Sequence, residues 1–196
     1  DVTIRPATTA DLPLLATFDH GYSTEYVWQM DTRENENEVA VSFREVRLPR
    51  PMRVRFPRSQ DWLYESWSQR LCFLIAEVAG APCGYLNLTT GPVPDIGLIA
   101  DFAIDRRHRR QGVGSTLLLA VRQWAREAER ARHPMAGRNA GPEAPPISLR
   151  RLIIETQSKN YPAIRFCQKH GFAFCGYNDR YYPNMDIALF FGLNVR

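Results

Sequence analysis

The sequence predicts a mixed α/β (α+β) fold in one domain over residues 1–196: about seven strands in a central sheet flanked by helices, with an extra N-terminal strand pair. Three observations predict it. Short apolar or alternating runs recur along the chain, each bounded by glycine, proline or polar clusters. One long stretch with helical period, residues 112–132, follows closely on a short apolar run. No segment repeats another, and the chain is long enough to bury a substantial core.

Val2–Pro6 reads as a first strand, followed by a loop with Thr8 and Thr9. Residues 10–20 place Leu12, Leu14, Leu15 and Phe18 on one face of a helix. Residues 21–30 carry Tyr22, Tyr26 and Trp28, which read as core or helix-packing aromatics, with a substrate-facing role open to one or two. Residues 38–48 alternate Val39, Val41 and Phe43 with polar groups, as a half-buried strand does. Pro49, Arg50 and Pro51 break the pattern, and residues 52–56 resume it, predicting a returning strand. Arg44, Arg47, Arg53 and Arg55 then line a face open to solvent; a site for an acidic substrate is the alternative.

Residues 61–68 predict a short helix. Residues 71–77 and 83–89 flank Ala79-Gly80-Ala81-Pro82, the signal of a hairpin. Residues 96–104 form an apolar run suited to a strand buried on both faces. In 112–132, Leu117, Leu118, Val121, Trp124, Ala125 and Ala128 recur at helical spacing. Residues 133–148 carry four prolines and two glycines and predict a flexible excursion. Residues 151–156 predict a buried strand and 161–170 a short helix stopped by Gly171, with strands at 172–177 and 186–191 completing the set.

Composition narrows the function classes. The chain is 44% hydrophobic and 23% charged, ordinary for a globular protein. No run approaches the ~18 apolar residues of a membrane helix, and Asp1-Val2-Thr3-Ile4-Arg5 lacks the blocks of a secretory signal, so a cytoplasmic chain with no membrane partner is expected. Cys72, Cys83, Cys167 and Cys175 show no metal-ligand spacing and read as reduced thiols. The net charge of +4 is almost all arginine, since lysine stands only at Lys159 and Lys169. Such an excess suits an anionic ligand without naming one.

The chemistry concentrates in one strand–turn–helix unit. Ala100-Asp101-Phe102-Ala103-Ile104 leads through an arginine-rich turn to Gly112-Val113-Gly114-Ser115 at the mouth of the long helix. Two glycines there let backbone N–H groups approach a phosphate, the helix adds its positive end, and Arg106, Arg107, Arg109 and Arg110 supply charge. A pyrophosphate fits this arrangement. The dinucleotide fingerprint fails because its third glycine position is Leu117, and a P-loop fails for want of a nearby lysine. Nucleic-acid binding lacks interleaved aromatics and an extended basic helix.

Arg109-Arg110-Gln111-Gly112-Val113-Gly114 resembles the R/Q-x-x-G-x-G/A pyrophosphate motif of the GNAT acyltransferases. Asn160-Tyr161-Pro162-Ala163-Ile164-Arg165-Phe166, followed by Lys169-His170-Gly171-Phe172, is similar to a second block of that family. Ile154-Glu155-Thr156-Gln157, with Gly176, Asp179, Tyr182 and the tail at 186–191, resembles streptothricin acetyltransferases within it. The resemblance covers residue 97 to the end well and the first ninety or so residues only by element order. It implies an acetyl-CoA-binding half at 96–196 and an acceptor-side half at 1–95.

The resemblance further implies direct attack of an amine on the acetyl-CoA thioester in a ternary complex. Phe102, Ala103 and Ile104 would meet the pantetheine arm, and Arg109, Arg110, Gln111, Gly112, Val113, Gly114 and Ser115 the pyrophosphate. Asn160, Ala163, Phe166 and Lys169 would complete the cofactor site. Asp101 and Glu155 are the candidate bases, each with an ion pair to arginine as the structural alternative. Many members have a tyrosine general acid where this chain has Cys167, so the thiol either takes that role or only fills space, leaving the proton to water or Tyr161. The expected acceptor is a small-molecule primary amine; a peptide N-terminus and non-catalytic acyl-CoA binding are the alternatives. A homodimer or an acceptor-side lid built on the strand pair at 38–56 is a further family-level expectation.

Overall fold

The computed structural model describes residues 1–91, 93–132 and 148–195. The apolar runs become β1 (Val2–Pro6), β4 (Arg70–Val78), β5 (Ala81–Thr90), β6 (Ile96–Ile104), β7 (Arg151–Gln157), β8 (Ala173–Asn178) and β9 (Ala188–Asn194). They form one seven-stranded sheet in the order β1-β4-β5-β6-β7-β9-β8. Among the described residues only β6 and β7 are paired in parallel. The β4–β5 hairpin turns on Ala79 and Gly80, both at positive φ (51° and 77°), the two-residue geometry whose twist matches its flanking strands.

Helices cover both faces of the sheet. α1 (Leu12–Leu15) and α2 (Asp61–Ser68) pack Leu12, Leu15 and Leu63 over Phe73, Ile75 and Tyr85. α3 (Val113–Arg132) and α4 (Tyr161–Lys169) cover the other face, where Leu86, Leu88, Ile99, Leu117, Leu118 and Ile164 are buried together. Asn160 caps α4, its side-chain oxygen accepting the Ala163 N–H at 3.2 Å.

Several expectations are corrected. The helix predicted over 10–20 is a 3-10 turn (Thr9–Asp11) followed by the single turn α1. Beyond it the chain bends, because the carbonyls of Asp19 and Gly21 accept hydrogen bonds from Arg109. The strand pair is present but differently composed. β2 (Tyr22–Asn35) pairs antiparallel with one long strand, β3 (Glu38–Val54), so 38–48 and 52–54 are two parts of the same strand, which ends before Arg55 and Phe56. The register passes from Thr24↔Met52 to Tyr26↔Arg47, so residues 48–51 bulge opposite Glu25 alone, where the missing proline N–H breaks no ladder.

Tyr26 packs against Tyr161 of α4, and Trp28 and Phe43 pack on Phe174, which anchors the β2–β3 pair beside β8. Arg44, Arg47, Arg53 and Arg55 are exposed, as expected of a solvated face. β6 alternates buried and half-buried residues instead of being buried throughout, because part of one edge borders a cleft. Residues 133–147 of the predicted excursion lie outside the described residues. Among the described residues no helix is long and apolar enough to cross a membrane.

Candidate active site

Parallel pairing of β6 with β7 runs only from Ile96↔Arg151 to Ile99↔Ile154. At that point β6 carries a bulge: Leu88 pairs with Ile99 and Asn87 with Asp101, so Ala100 is an extra residue. One inserted residue reverses which face each later side chain meets. Ile99 and Phe102 therefore both belong with α3 and α4, while Asp101 is turned to the opposite face beside Asn87. Past the bulge the strands part, and the β6 edge from Ala100 to Ile104 has no strand partner on the β7 side. Backbone groups along that edge are free to meet a ligand, apart from the Ile104 carbonyl, which accepts from Arg109 Nε at 2.9 Å.

Three neighbouring spaces that share lining residues surround the split. A cleft of about 640 Å³ runs between the end of β6, the α3 N-terminus and α4, lined by Phe102, Ala103, Gly112, Gly114, Asn160 and Phe166 among others. A cavity of about 110 Å³ lies between the parted strands, reaching Asp101, Glu155, Cys167 and Tyr182. A third, of about 180 Å³, opens on the α1–α2 side against Phe56, Trp62, Tyr85 and Asp101. His20 borders all three.

The turn into α3 forms a concave row of backbone donors. Arg110 (φ 64°) and Gly112 (φ 88°) are left-handed, and the first N–H groups of α3 have no intrahelical acceptor. Arg110, Arg165 and Lys169 are exposed around the mouth, giving it positive charge. Ser115 pairs with His170 at 3.0 Å, and Ala163 and Phe166 form the α4 wall. Two residues of the predicted set turn away: Gln111 donates to the Arg107 carbonyl at 2.8 Å, and Val113 is buried in the core beneath the cleft.

Arg109 is a brace. Its guanidinium donates to the backbone carbonyls of Ile104, Gly21 and Asp19, tying the loop before β2 to the end of β6. His20 and Gly21 thereby form one wall of the cleft. No sequence motif marked this wall.

The two candidate bases occupy different environments. Both Glu155 oxygens are engaged, one by Arg58 at 2.6 Å and the other by the Tyr181 hydroxyl at 2.8 Å. The Arg58 guanidinium stacks on Trp62 at 4.1 Å from the ring centre. Asp101 is buried and accepts from Ser66 at 2.6 Å, while Asn87 donates to that same hydroxyl. Burial pushes the Asp101 carboxyl up to about 6, against the opposing hydrogen bond from Ser66 and the charge of Arg58. Cys167 faces the split cavity but is 1% exposed, and burial pushes its thiol up to about 12. Asn160 lines the cleft while its oxygen caps α4.

Sequence reasoning missed His20, Tyr85, Arg58, Ser66 and Tyr181 as site residues. A buried strand tyrosine, or a single arginine in a loop, carries no local signal. Replacing Arg109 with glutamine (Arg109→Gln) is expected to cost about 2 kcal/mol in urea unfolding, since charge-assisted bonds to three carbonyls are lost. Amide exchange should quicken at residues 19–21.

Comparison with known proteins gives this geometry a family. The profile of the acetyltransferase (GNAT) family matches residues 36–137. N-alpha-acetyltransferase 60 of Drosophila melanogaster is 30% identical over 112 residues, 56% of this chain; the chain spans 35% of that relative's length. Among solved structures, a nourseothricin acetyltransferase superposes with TM-score 0.74 at 19% identity, over 100% of this chain and 99% of that one. A Bacillus anthracis protein described as a streptothricin acetyltransferase, solved with acetyl coenzyme A, gives TM-score 0.68 at 18% identity over 99% of each chain. The ribosomal-protein-S18-alanine N-acetyltransferase of Escherichia coli gives 0.63 at 17% identity, over 100% of this chain and 94% of that one. At these identities the structural likeness is one of fold. Because the family profile spans more than half of its residues, this chain belongs to the GNAT acetyltransferase family.

Proposed function

We propose that this acetyltransferase moves an acetyl group from acetyl-CoA to the primary amine of a small molecule by direct attack within a ternary complex. One observation carries the reading: the cleft at the α3 N-terminus shares the walls Phe102, Asn160, Ala163 and Phe166 with the cavity between β6 and β7, and that cavity borders a buried carboxylate, Asp101. Residues 96–196 supply the acetyl-CoA half and residues 1–95 the acceptor side, with His20 and Gly21 reaching across between them.

The residues present suit acetyl-CoA. The row of N–H groups at Gly112–Ser115 and the cations at the cleft mouth would take its phosphates, and the unpartnered β6 edge at Phe102 and Ala103 its amide-rich arm. Asn160, Ala163 and Phe166 would form the opposite wall. Bound there, the thioester supplies an activated acyl group. Asp101 is the favoured base, because it lines both the acceptor cavity and the split and its proton affinity is raised by burial. Glu155 instead holds Arg58 and Tyr181 in place. Cys167 serves packing, since a buried thiol with raised proton affinity belongs with the core.

A second reading, acetylation of a peptide N-terminus, is favoured by the 30% identity to an N-alpha-acetyltransferase over 112 residues. Against it, the acceptor-side cavity is small, about 180 Å³, and lined by aromatic and charged side chains.

Calorimetric titration with acetyl-CoA tests the donor. Binding in the micromolar range is expected for the wild type. It should be lost in Gly112→Asp, which sets a side chain at φ 88° and a negative charge in the row of donors. No binding by the wild type would refute the reading. Thiol-release screening against aminoglycoside-like, polyamine and peptide amines then separates small-molecule from peptide acceptors.

Protonation removes a base. kcat/KM should therefore fall as pH drops through about 6, the value at which Asp101 takes up its proton. Asp101→Asn should abolish that limb and lower kcat by about 10²- to 10⁴-fold at neutral pH. Cys167→Ala should keep its turnover; a large loss would return the thiol to the mechanism.

A further inference from the structure

The acceptor-side cavity carries charges that amine attack does not use. Three arginines border it, Arg53, Arg55 and Arg58, together with the carboxylates of Asp19 and Asp101. Attack by an amine calls for one proton acceptor. It calls for no cation, since a guanidinium beside an incoming ammonium repels it.

Two of the three cations are engaged within the protein. Arg58 donates to Glu155 at 2.6 Å and stacks on Trp62. Arg53 pairs with Asp19, whose other oxygen accepts the Gly21 N–H at 2.9 Å. Arg55 differs. It is exposed on the rim, and among the described residues it has no hydrogen bond, ion pair or ring contact.

The backbone on either side of Arg55 is anchored. Val54, the last residue of β3, is buried and pairs with Tyr22, whose hydroxyl donates to Gln157 at 2.8 Å. Phe56 stacks on His20 with 5.3 Å between ring centres. The free guanidinium therefore stands at a fixed point of the rim, on the same cavity as Asp101. Phe18, Phe56, Trp62 and Tyr85 supply the aromatic wall of that cavity.

We propose that the acceptor is a zwitterionic amine: a small primary amine that also bears a carboxylate, its nitrogen presented to Asp101 and its carboxylate to Arg55. This acceptor class rests on the small-molecule reading above and narrows it. A guanidinium offers paired N–H donors that match the two oxygens of a carboxylate, and aromatic faces cover the carbon chain between the two ends. At about 180 Å³ the cavity has the volume of about six waters, which limits the acceptor to a small molecule. A polycationic amine is disfavoured by the same walls, because its further ammonium groups would meet Arg53, Arg55 and Arg58. In the transfer a C–N bond forms and the C–S bond breaks. One ammonium proton ends on the sulfur, another leaves to solvent, and the carboxylate takes no part.

The test is thiol release from acetyl-CoA with matched amines. β-Alanine, 4-aminobutyrate and 5-aminopentanoate are set against the alkylamines and the diamines of the same chain length, and phenylalanine against phenethylamine. The amino carboxylates are expected to exceed the matching alkylamines in kcat/KM by about 10-fold. In Arg55→Ala that advantage should vanish through a rise in KM, with calorimetric affinity for acetyl-CoA unchanged. Because Arg55 is exposed, added salt should also shrink the wild-type advantage. A preference for alkylamines or diamines, or an advantage that neither Arg55→Ala nor salt reduces, would overturn the proposal. Turnover of aminoglycoside-like, polyamine or peptide amines but of no amino carboxylate would also overturn it, and would leave the acetyltransferase reading standing. A wild type that binds acetyl-CoA yet acetylates no amine would refute both together.

Discussion

The extra residue at Ala100 is the constraint on which the rest of the site depends. A strand that kept perfect register with β5 would also keep its pairing with β7, and the sheet would close. The bulge turns Asp101 to the α1–α2 face while Phe102 and Ile104 stay with α3. It coincides with the end of parallel pairing at Ile99↔Ile154. A single insertion thus opens the sheet, frees a backbone edge for a ligand and aims a carboxylate at the far side of the gap.

Holding an open sheet requires braces on both sides of the gap, and the chain provides them in polar form. On the β6 side, Arg109 joins Ile104 to the loop at Asp19 and Gly21. On the β7 side, Glu155 gathers Arg58 and Tyr181, and the Gln157–Asp186 pair ties in Tyr22 of β2. Each buried charge has an opposite charge or short hydrogen bonds, which keeps the desolvation cost tolerable. The β2–β3 pair is part of this scaffold at its base, where its aromatics meet α4 and β8.

The two carboxylates show how different environments act on like groups. Asp101 and Glu155 border the same cavity. Asp101 accepts from a neutral hydroxyl and is buried, and the burial raises its proton affinity. Glu155 has a guanidinium in contact and a phenol donating to it, partners that secure a carboxylate as a structural ion. The sequence placed both near the motifs and had no means of ranking them, since the ranking comes from Ser66 and Arg58 on separate elements.

Much of the architecture was legible from local pattern. β1, α2 and β6 lie at their predicted limits, the β4–β5 hairpin and α3 follow their apolar periods, and Gly112 and Asn160 mark the openings of the two cleft helices. These features depend on near-neighbour chemistry: alternation, helical period, a glycine at positive φ, a capping side chain. The strand limits in 22–54 were not legible, because prolines that end a central strand are harmless in a bulge of a two-stranded pair. Nor were Arg109 as a brace or His20 at the border of three cavities. By itself the sequence determined the strand–turn–helix unit, the glycine-bearing turn into α3 and the family resemblance. Only the tertiary structure decided which carboxylate is ion-paired and which is held by a neutral hydroxyl, since burial and long-range partners belong to the assembled sheet and to no stretch of chain.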